Sequence, residues 1–193
     1  MRTIVLASTS PYRRQLMRRL HIKFDVAAPL YHEHLDHTVA PELLVKHQAL
    51  HKAKSLEANY PNALIIGSDQ VFVDAKGRVL GKPLTEDVAV QQLRDMQGRT
   101  HTFYTGLSVY DSDTGRHITD YETFMVSLRA LSTEQIKKYV SIEQPLNCSG
   151  SFKIEGLGIA LMEDMEGHDY TSLIGLPLVR LVGMLKEFGV DVL

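Results

Sequence analysis

Apolar residues follow two rhythms along this chain. Ile4-Val5-Leu6-Ala7 is a short unbroken apolar run and reads, from Thr3, as a buried strand; a helix is predicted from Ser10 to about Leu20, and Phe24–Ala28 forms a second short strand. From Pro41 the rhythm becomes helical. Val45, Ala49, Lys52, Ala53 and Leu56 fall on one stripe, and the helix is expected to run to about Tyr60. Ala63-Leu64-Ile65-Ile66 opens another strand, interrupted by Gly67-Ser68-Asp69-Gln70 and resumed by Val71-Phe72-Val73, with Asp74-Ala75-Lys76-Gly77 as its hairpin turn. A helix over Thr85–Gln97 is expected, with Thr85 as N-cap and Val88, Ala89 and Leu93 as its apolar face. Two long strands follow, His101–Asp111 and His117–Ala130, joined by Ser112-Asp113-Thr114-Gly115. A Ser132-capped helix, a strand pair around Ser151–Met162 and a closing helix from Pro177 to Phe188 complete the reading. Strands interleaved with helices argue an α/β fold, and the paired long strands make the sheet mixed rather than purely parallel. No repeat or linker divides the 193 residues, which are expected to form a single domain over 1–193.

Composition narrows the function. The chain is 44% hydrophobic and 23% charged, with a net charge of -2 that argues against a protein coating nucleic acid. Residues 1–23 nonetheless carry six of the 21 basic side chains, Arg2, Arg13, Arg14, Arg18, Arg19 and Lys23, and no acid. A positive patch on an acidic body suits a small polyanion. No apolar run approaches the roughly 18 residues of a membrane span. The apolar start is too short for a signal peptide, and one cysteine, Cys148, permits no internal disulfide, so a cytoplasmic protein is expected.

Three places could carry chemistry. Ala7-Ser8-Thr9-Ser10-Pro11-Tyr12-Arg13-Arg14 stands where a strand passes into a helix. It reads equally as a well-capped helix with a basic face, or as hydroxyls, amides and arginines arranged to hold phosphate. It lacks the glycines and lysine of a Walker loop. Asp69 breaks an apolar strand behind Gly67; a carboxylate there could bind a hard cation or accept a proton from water. Lys52 sits on the inward stripe of its helix, either snorkelling to the rim or presenting a cation to phosphate. Lys82, in Gly81-Lys82-Pro83, is a weaker sign. His32-Glu33-His34-Leu35-Asp36-His37 and the pair His47/His51 lack the second cluster or the glutamate of zinc motifs, and zinc is not expected.

In combination, Ala7-Ser8-Thr9-Ser10-Pro11 with Arg13-Arg14, Gly67-Ser68-Asp69-Gln70-Val71, Gly81-Lys82-Pro83, Gly150-Ser151-Phe152-Lys153 with Glu155-Gly156, and Gly175-Leu176-Pro177 resemble the Maf family, in order and over essentially the whole chain. The resemblance implies a Maf/ITPase-like fold, a single elongated mixed sheet flanked by helices. It implies a usually dimeric nucleoside triphosphate pyrophosphatase that needs a divalent metal, Mg or Mn, and gives a nucleoside monophosphate and pyrophosphate. Carried over, Asp69 matches the proton acceptor, Glu33 the glutamate of the site, Lys52 and Lys82 the lysines, and Arg13 the arginine of the phosphate loop. Glu33 and Asp69 would hold the metal, with Ser8 and Ser10 adding neutral donors. His32 stands where the family often has Asp.

Tyr12, Gln70 and Glu155 occupy the positions that separate branches of the family. They resemble the branch associated with 7-methyl-GTP rather than the one acting on dTTP and UTP, which usually shows Arg, Thr and Gln. A methylated guanine carries a positive ring suited to stacking on an aromatic face, and an ionised glutamate matches the guanine N–H donors. Two rivals stand beside this expectation, a dTTP/UTP pyrophosphatase and a non-catalytic nucleotide-binding regulator of cell division or septum formation. The partners expected are a small nucleotide and a second copy of the chain, without nucleic acid or membrane.

Overall fold

The computed structural model describes residues 2–32 and 38–193. Its strands are β1 (Thr3–Ala7), β2 (Asp25–Ala27), β3 (Ala63–Val73), β4 (Val79–Leu80), β5 (Thr100–Asp111), β6 (His117–Leu128) and β7 (Met162–Gly167). Its helices are α1 (Pro11–Arg18), α2 (Pro41–Lys54), α3 (Glu86–Met96), α4 (Thr133–Glu143), α5 (Tyr170–Ile174) and α6 (Leu178–Glu187). The strands form one seven-stranded sheet in the order β2-β1-β3-β5-β6-β7, with β4 paired to β3. β1 is parallel to β2 and β3, whereas β3–β4 and β6–β7 are antiparallel, so the sheet is mixed. Among the described residues no helix is long and apolar enough to cross a membrane.

The chain divides into two compact units, the first comprising Met1–Gln70, Tyr104–Glu122 and Asp169–Leu193, the second Val71–Phe103 and Thr123–His168. In the first unit strand alternation sends side chains to two separate cores. Ile4, Leu6, Leu64 and Ile66 pack with Leu16 and Met17 of α1 and with Leu178, Leu181 and Leu185 of α6. Val5, Ala7, Ala63 and Ile65 pack with Ala53 and Leu56 at the end of α2. Both faces of this half of the sheet are therefore covered. α2 lies very close to it: a Cβ on Gly67 would stand 2.0 Å from the Ala49 carbonyl oxygen, and one on Gly106 2.1 Å from that of Val45. In the second unit Phe72, Phe103 and Phe152 meet edge to face, with ring centroids 4.7–5.9 Å apart.

The caps expected at Ser10, Thr85 and Ser132 are all made, the last as a full capping box. Four expectations are corrected. β3 runs unbroken from Ala63 to Val73, because the polar side chains at 68–70 find partners on both faces of the sheet. α2 stops at Lys54 rather than Tyr60, because the Ser55 hydroxyl donates to the Lys52 carbonyl at 2.7 Å and turns the chain into a 3-10 turn at Glu57–Asn59. Val88 is 43% exposed; Met96 takes its place on the buried face beside Ala89 and Leu93. No strand pair forms over Ser151–Met162. Ser151 takes a left-handed φ of 61°, and Lys153 folds its carbonyl onto the amides of Gly156 and Gly158, giving 3-10 turns at Ser149–Ser151 and Leu157–Leu161. The strand of this region, β7, starts only at Met162, and α5 was not anticipated.

Candidate active site

In the strand-to-helix turn after β1, two serine hydroxyls each accept from a backbone amide farther along the chain. Ser8 is buried, and its Oγ accepts from the Ser10 amide at 3.1 Å; Ser10 Oγ accepts from the Arg13 amide at 3.4 Å and caps α1. Pro11 occupies the first helical turn, where a missing N–H costs nothing. Tyr12 and Arg13 are half-buried. The capped-helix and phosphate-loop readings are thus compatible, since the same turn caps α1 and carries its amides and arginine at a helix start.

Lys52 does not snorkel. It is 3% exposed, and its Nζ donates to Asp69 Oδ1 at 2.6 Å, with Asp69 itself 6% exposed. The placement follows from α2 and β3 together: the glycine contact at Gly67 brings the helix backbone onto the strand, and Asp69, two residues along an extended strand, points to the same face. Ser68 and Gln70 point to the other. Ser68 Oγ lies 2.8 Å from the carbonyls of both Gly106 and Gly175, while Gln70 Nε2 donates to Thr105 Oγ1 at 3.0 Å and to the Ser172 carbonyl at 2.8 Å. Arg13 Nε donates to the Gly175 carbonyl at 2.7 Å. Ser8, Ser10, Arg13, Lys52, Asp69 and Gln70 all belong to the first unit, which brings Lys52 and Asp69 into direct contact.

Lys82 and Glu155 belong to the second unit and are exposed there. Near Glu155, the Glu143 carboxylate accepts from the Leu157 amide and Lys153 Nζ donates to the Glu143 carbonyl, both at 2.6 Å, which holds the 153–157 turn against α4. Burial raises the Cys148 thiol above its ordinary range, the behaviour of a packed thiol rather than a nucleophile. Glu33, the other expected metal ligand, lies outside the described residues. His47 and His51 lie side by side on α2 with ring centroids 4.1 Å apart and planes tilted by 37°, and burial lowers the pKa of His51, helped by the charges of His47 and Lys54.

Sequence reasoning missed Ser68, Thr105, Asp169 and the Gly175 carbonyl. Ser68 adjoins Asp69 and Gly175 opens a quoted motif, so those two had a local sign. Thr105 and Asp169 had none, because their role depends on α5.

Residues 3–188 match the family described as Maf-like protein. This chain belongs to the Maf family. Among curated Maf relatives, it is 64% identical over 193 residues to a 7-methyl-GTP pyrophosphatase of Syntrophotalea carbinolica, covering 100% of this chain and 98% of that one. Proteins of the same name from Colwellia psychrerythraea and Pseudomonas aeruginosa are 49% and 47% identical, covering 100% and 98% of this chain and 96% and 98% of theirs. A solved nucleoside-triphosphatase (dITP/XTP pyrophosphatase) from Mycobacterium abscessus is far more remote, at 15% identity and a TM-score of 0.46 over 94% of this chain and 100% of that one.

Proposed function

We propose that this Maf protein is a nucleoside triphosphate pyrophosphatase, a hydrolase of acid anhydrides that converts 7-methyl-GTP to 7-methyl-GMP and pyrophosphate. The buried Lys52–Asp69 pair carries the reading, because a pair so costly to desolvate has no evident packing purpose in an apolar core. The substrate is taken from the full-length likeness to relatives named for it. Hydrolysis adds one water across the α–β anhydride: a new P–O bond forms, the bond to the bridging oxygen breaks, and a proton must leave the attacking water. Asp69 receives that proton. Its Oδ1 is held by Lys52, so the carboxylate is oriented before substrate arrives. Arg13 offsets phosphate charge, and the Ser8–Ser10 turn supplies neutral donors.

Among the described residues no group of three or more His, Cys, Asp or Glu could enclose a metal. One acidic side chain at a phosphate-binding place fits Mg²⁺ or Mn²⁺, which bind through one or two carboxylates together with substrate phosphates. Asp69, with Glu33, would hold the ion, which when bound supplies charge neutralisation and a more acidic water. The same reading makes the protein a cytoplasmic homodimer acting on free nucleotide, with no nucleic-acid or membrane partner; light scattering in solution checks the dimer.

The test is pyrophosphate release from 7-methyl-GTP, GTP, dTTP and UTP by the wild type, Glu155→Gln and Tyr12→Ala. 7-methyl-GTP should give the highest kcat/KM. Glu155→Gln should lower it about 10- to 150-fold for that substrate, the worth of a charge-assisted hydrogen bond, and Tyr12→Ala about 2- to 30-fold through lost cation–π contact. UTP turnover should hardly change. Equal losses on both substrates, or a preference for dTTP or UTP in the wild type, would refute the assignment.

A further inference from the structure

We propose that the backbone carbonyl of Gly175 is a positioning group that holds Arg13, the arginine of the phosphate loop, in register with the strand that carries Asp69. The inference rests on the hydrolase reading for its consequence, and on first-unit geometry for its existence.

Two donors from distant parts of the chain meet on this one oxygen, Arg13 Nε at 2.7 Å and Ser68 Oγ at 2.8 Å. Ser68 is fully buried and is the residue immediately before Asp69 in β3. Its single hydroxyl proton is shared with the Gly106 carbonyl of β5, also 2.8 Å away. The guanidinium is planar, so fixing Nε fixes the direction of the whole group. An arginine held in this way has lost its rotamer freedom before a phosphate arrives, and its position is coupled to the backbone at residue 68.

The carbonyl is aimed by its own surroundings. Gly175 caps α5 with φ at 116°, and a Cβ there would stand 3.2 Å from Arg13 Nε, so a side chain would meet both strain and the arginine. The last carbonyls of any helix lack intrahelical partners, and here they face a row of donors. Thr105 Oγ1 donates to the Ser172 carbonyl at 2.9 Å, and Gln70 Nε2 donates to those of Ser172 and Leu173 at 2.8 and 3.2 Å. At its other end α5 is pinned by Asp169, whose carboxylate accepts from the Thr171 amide at 2.9 Å and the Val179 amide at 2.8 Å. α5 is therefore a short bracket clamped at both ends, and Gly175 is the point where it touches the phosphate arginine.

A merely structural anchor and a positioning group differ in how Ser68 and Arg13 combine. Inorganic tripolyphosphate, titrated in magnesium buffer, probes the phosphate site without a base. Ser68→Ala should weaken its binding about two- to tenfold, the worth of one neutral hydrogen bond. In an Arg13→Lys background, where no Nε is present to be held, the same Ser68→Ala change should have almost no further effect. Ser68→Cys keeps a weak donor and should recover part of the loss, which also guards against Ser68→Ala failing to fold. Kinetics on 7-methyl-GTP should show the same non-additivity in KM. Equal factors in both backgrounds, no effect of Ser68→Ala, or a wild type that binds no tripolyphosphate would each overturn the inference. Absent turnover of 7-methyl-GTP with the coupling intact would instead sink the hydrolase reading alone.

Discussion

Replacing Lys52 by methionine tests the centre of the site. At 2.6 Å the attraction between Lys52 and Asp69 is about 6 kcal/mol for an effective dielectric near 20, set against a desolvation cost of several kcal/mol for each ion. The two nearly cancel while the pair is intact. The methionine side chain would fill most of the volume and leave Asp69 as a lone charge at 6% exposure. Breaking a buried pair from one side costs about 3–5 kcal/mol. With a urea m-value of about 2 kcal/mol/M, the midpoint should fall by about 1.5–2.5 M. Asp69→Asn is the milder change, since its amide oxygen can still accept from Lys52, and should cost about 1–3 kcal/mol while the protein stays folded. Lys52→Met combined with Asp69→Leu should cost less than Lys52→Met and Asp69→Leu measured singly and added together, because no charge is left behind. Both Lys52→Met and Asp69→Asn should lower kcat by at least about 10²-fold. The reasoning fails if Lys52→Met unfolds within about 1 kcal/mol of the wild type, or if the double variant is strictly additive. Substantial turnover by folded Asp69→Asn would remove Asp69 from the chemistry.

Gly67→Ala drives a Cβ to 2.0 Å from the Ala49 carbonyl and 2.9 Å from the Ala53 amide, both backbone atoms of α2. It should cost about 3 kcal/mol or more by urea titration, and kcat should fall as α2 carries Lys52 away. His101 is buried, accepts from the Ala75 amide at Nδ1 and faces the Met96 carbonyl at Nε2, so it is held neutral, and burial lowers its pKa against the opposing pull of that carbonyl and of Asp74. Its stabilisation is complete above about pH 6.5 and is lost as pH falls through the lowered value, so wild-type melting temperature should drop more steeply below pH 6.5 than that of His101→Gln. Excess chelator should silence pyrophosphate release without changing the melting temperature, whereas unfolding on chelation would reveal a structural metal.

Local chemistry was the part of the fold most legible in the sequence. Ser10, Thr85 and Ser132 cap their helices because a hydroxyl's nearest orphan amides lie two or three residues away, a range any sequence window contains. Asp69 and Lys52 could be singled out for a similar reason, each being a charge set in an apolar pattern. Their contact could not, because it depends on how closely Gly67 and Gly106 admit α2 to the sheet. The failure at Ser151–Met162 is of the same kind. Apolar spacing suggested strands, but the left-handed Ser151 and the tertiary hold of Glu143 on the 153–157 turn decide the backbone. Ser55 ended α2 early through a bond to its own helix, which periodicity does not register.

The four residues Gly67–Gln70 show why a polar run can sit in a central strand. Alternation gives Gly67 and Asp69 to α2, and Ser68 and Gln70 to α5. On the first face the absent side chain at 67 makes room for the helix that brings Lys52 to Asp69. On the second, two neutral side chains fasten the strand to the carbonyls at the end of α5. Asp69 is thus the only charge in the run, and the residues on either side of it are both committed to holding the backbone still. A reactive carboxylate gains from this, because its geometry is set by strand and bracket rather than by its own rotamers. Exchanging the order, so that the charge faced α5, would take the anion away from Lys52 and point it at the row of carbonyl oxygens at the end of α5. Polarity at 67–70 alone is therefore not enough: Asp69 must keep its place in the alternation, since a one-residue slip of β3 would send it to the α5 face.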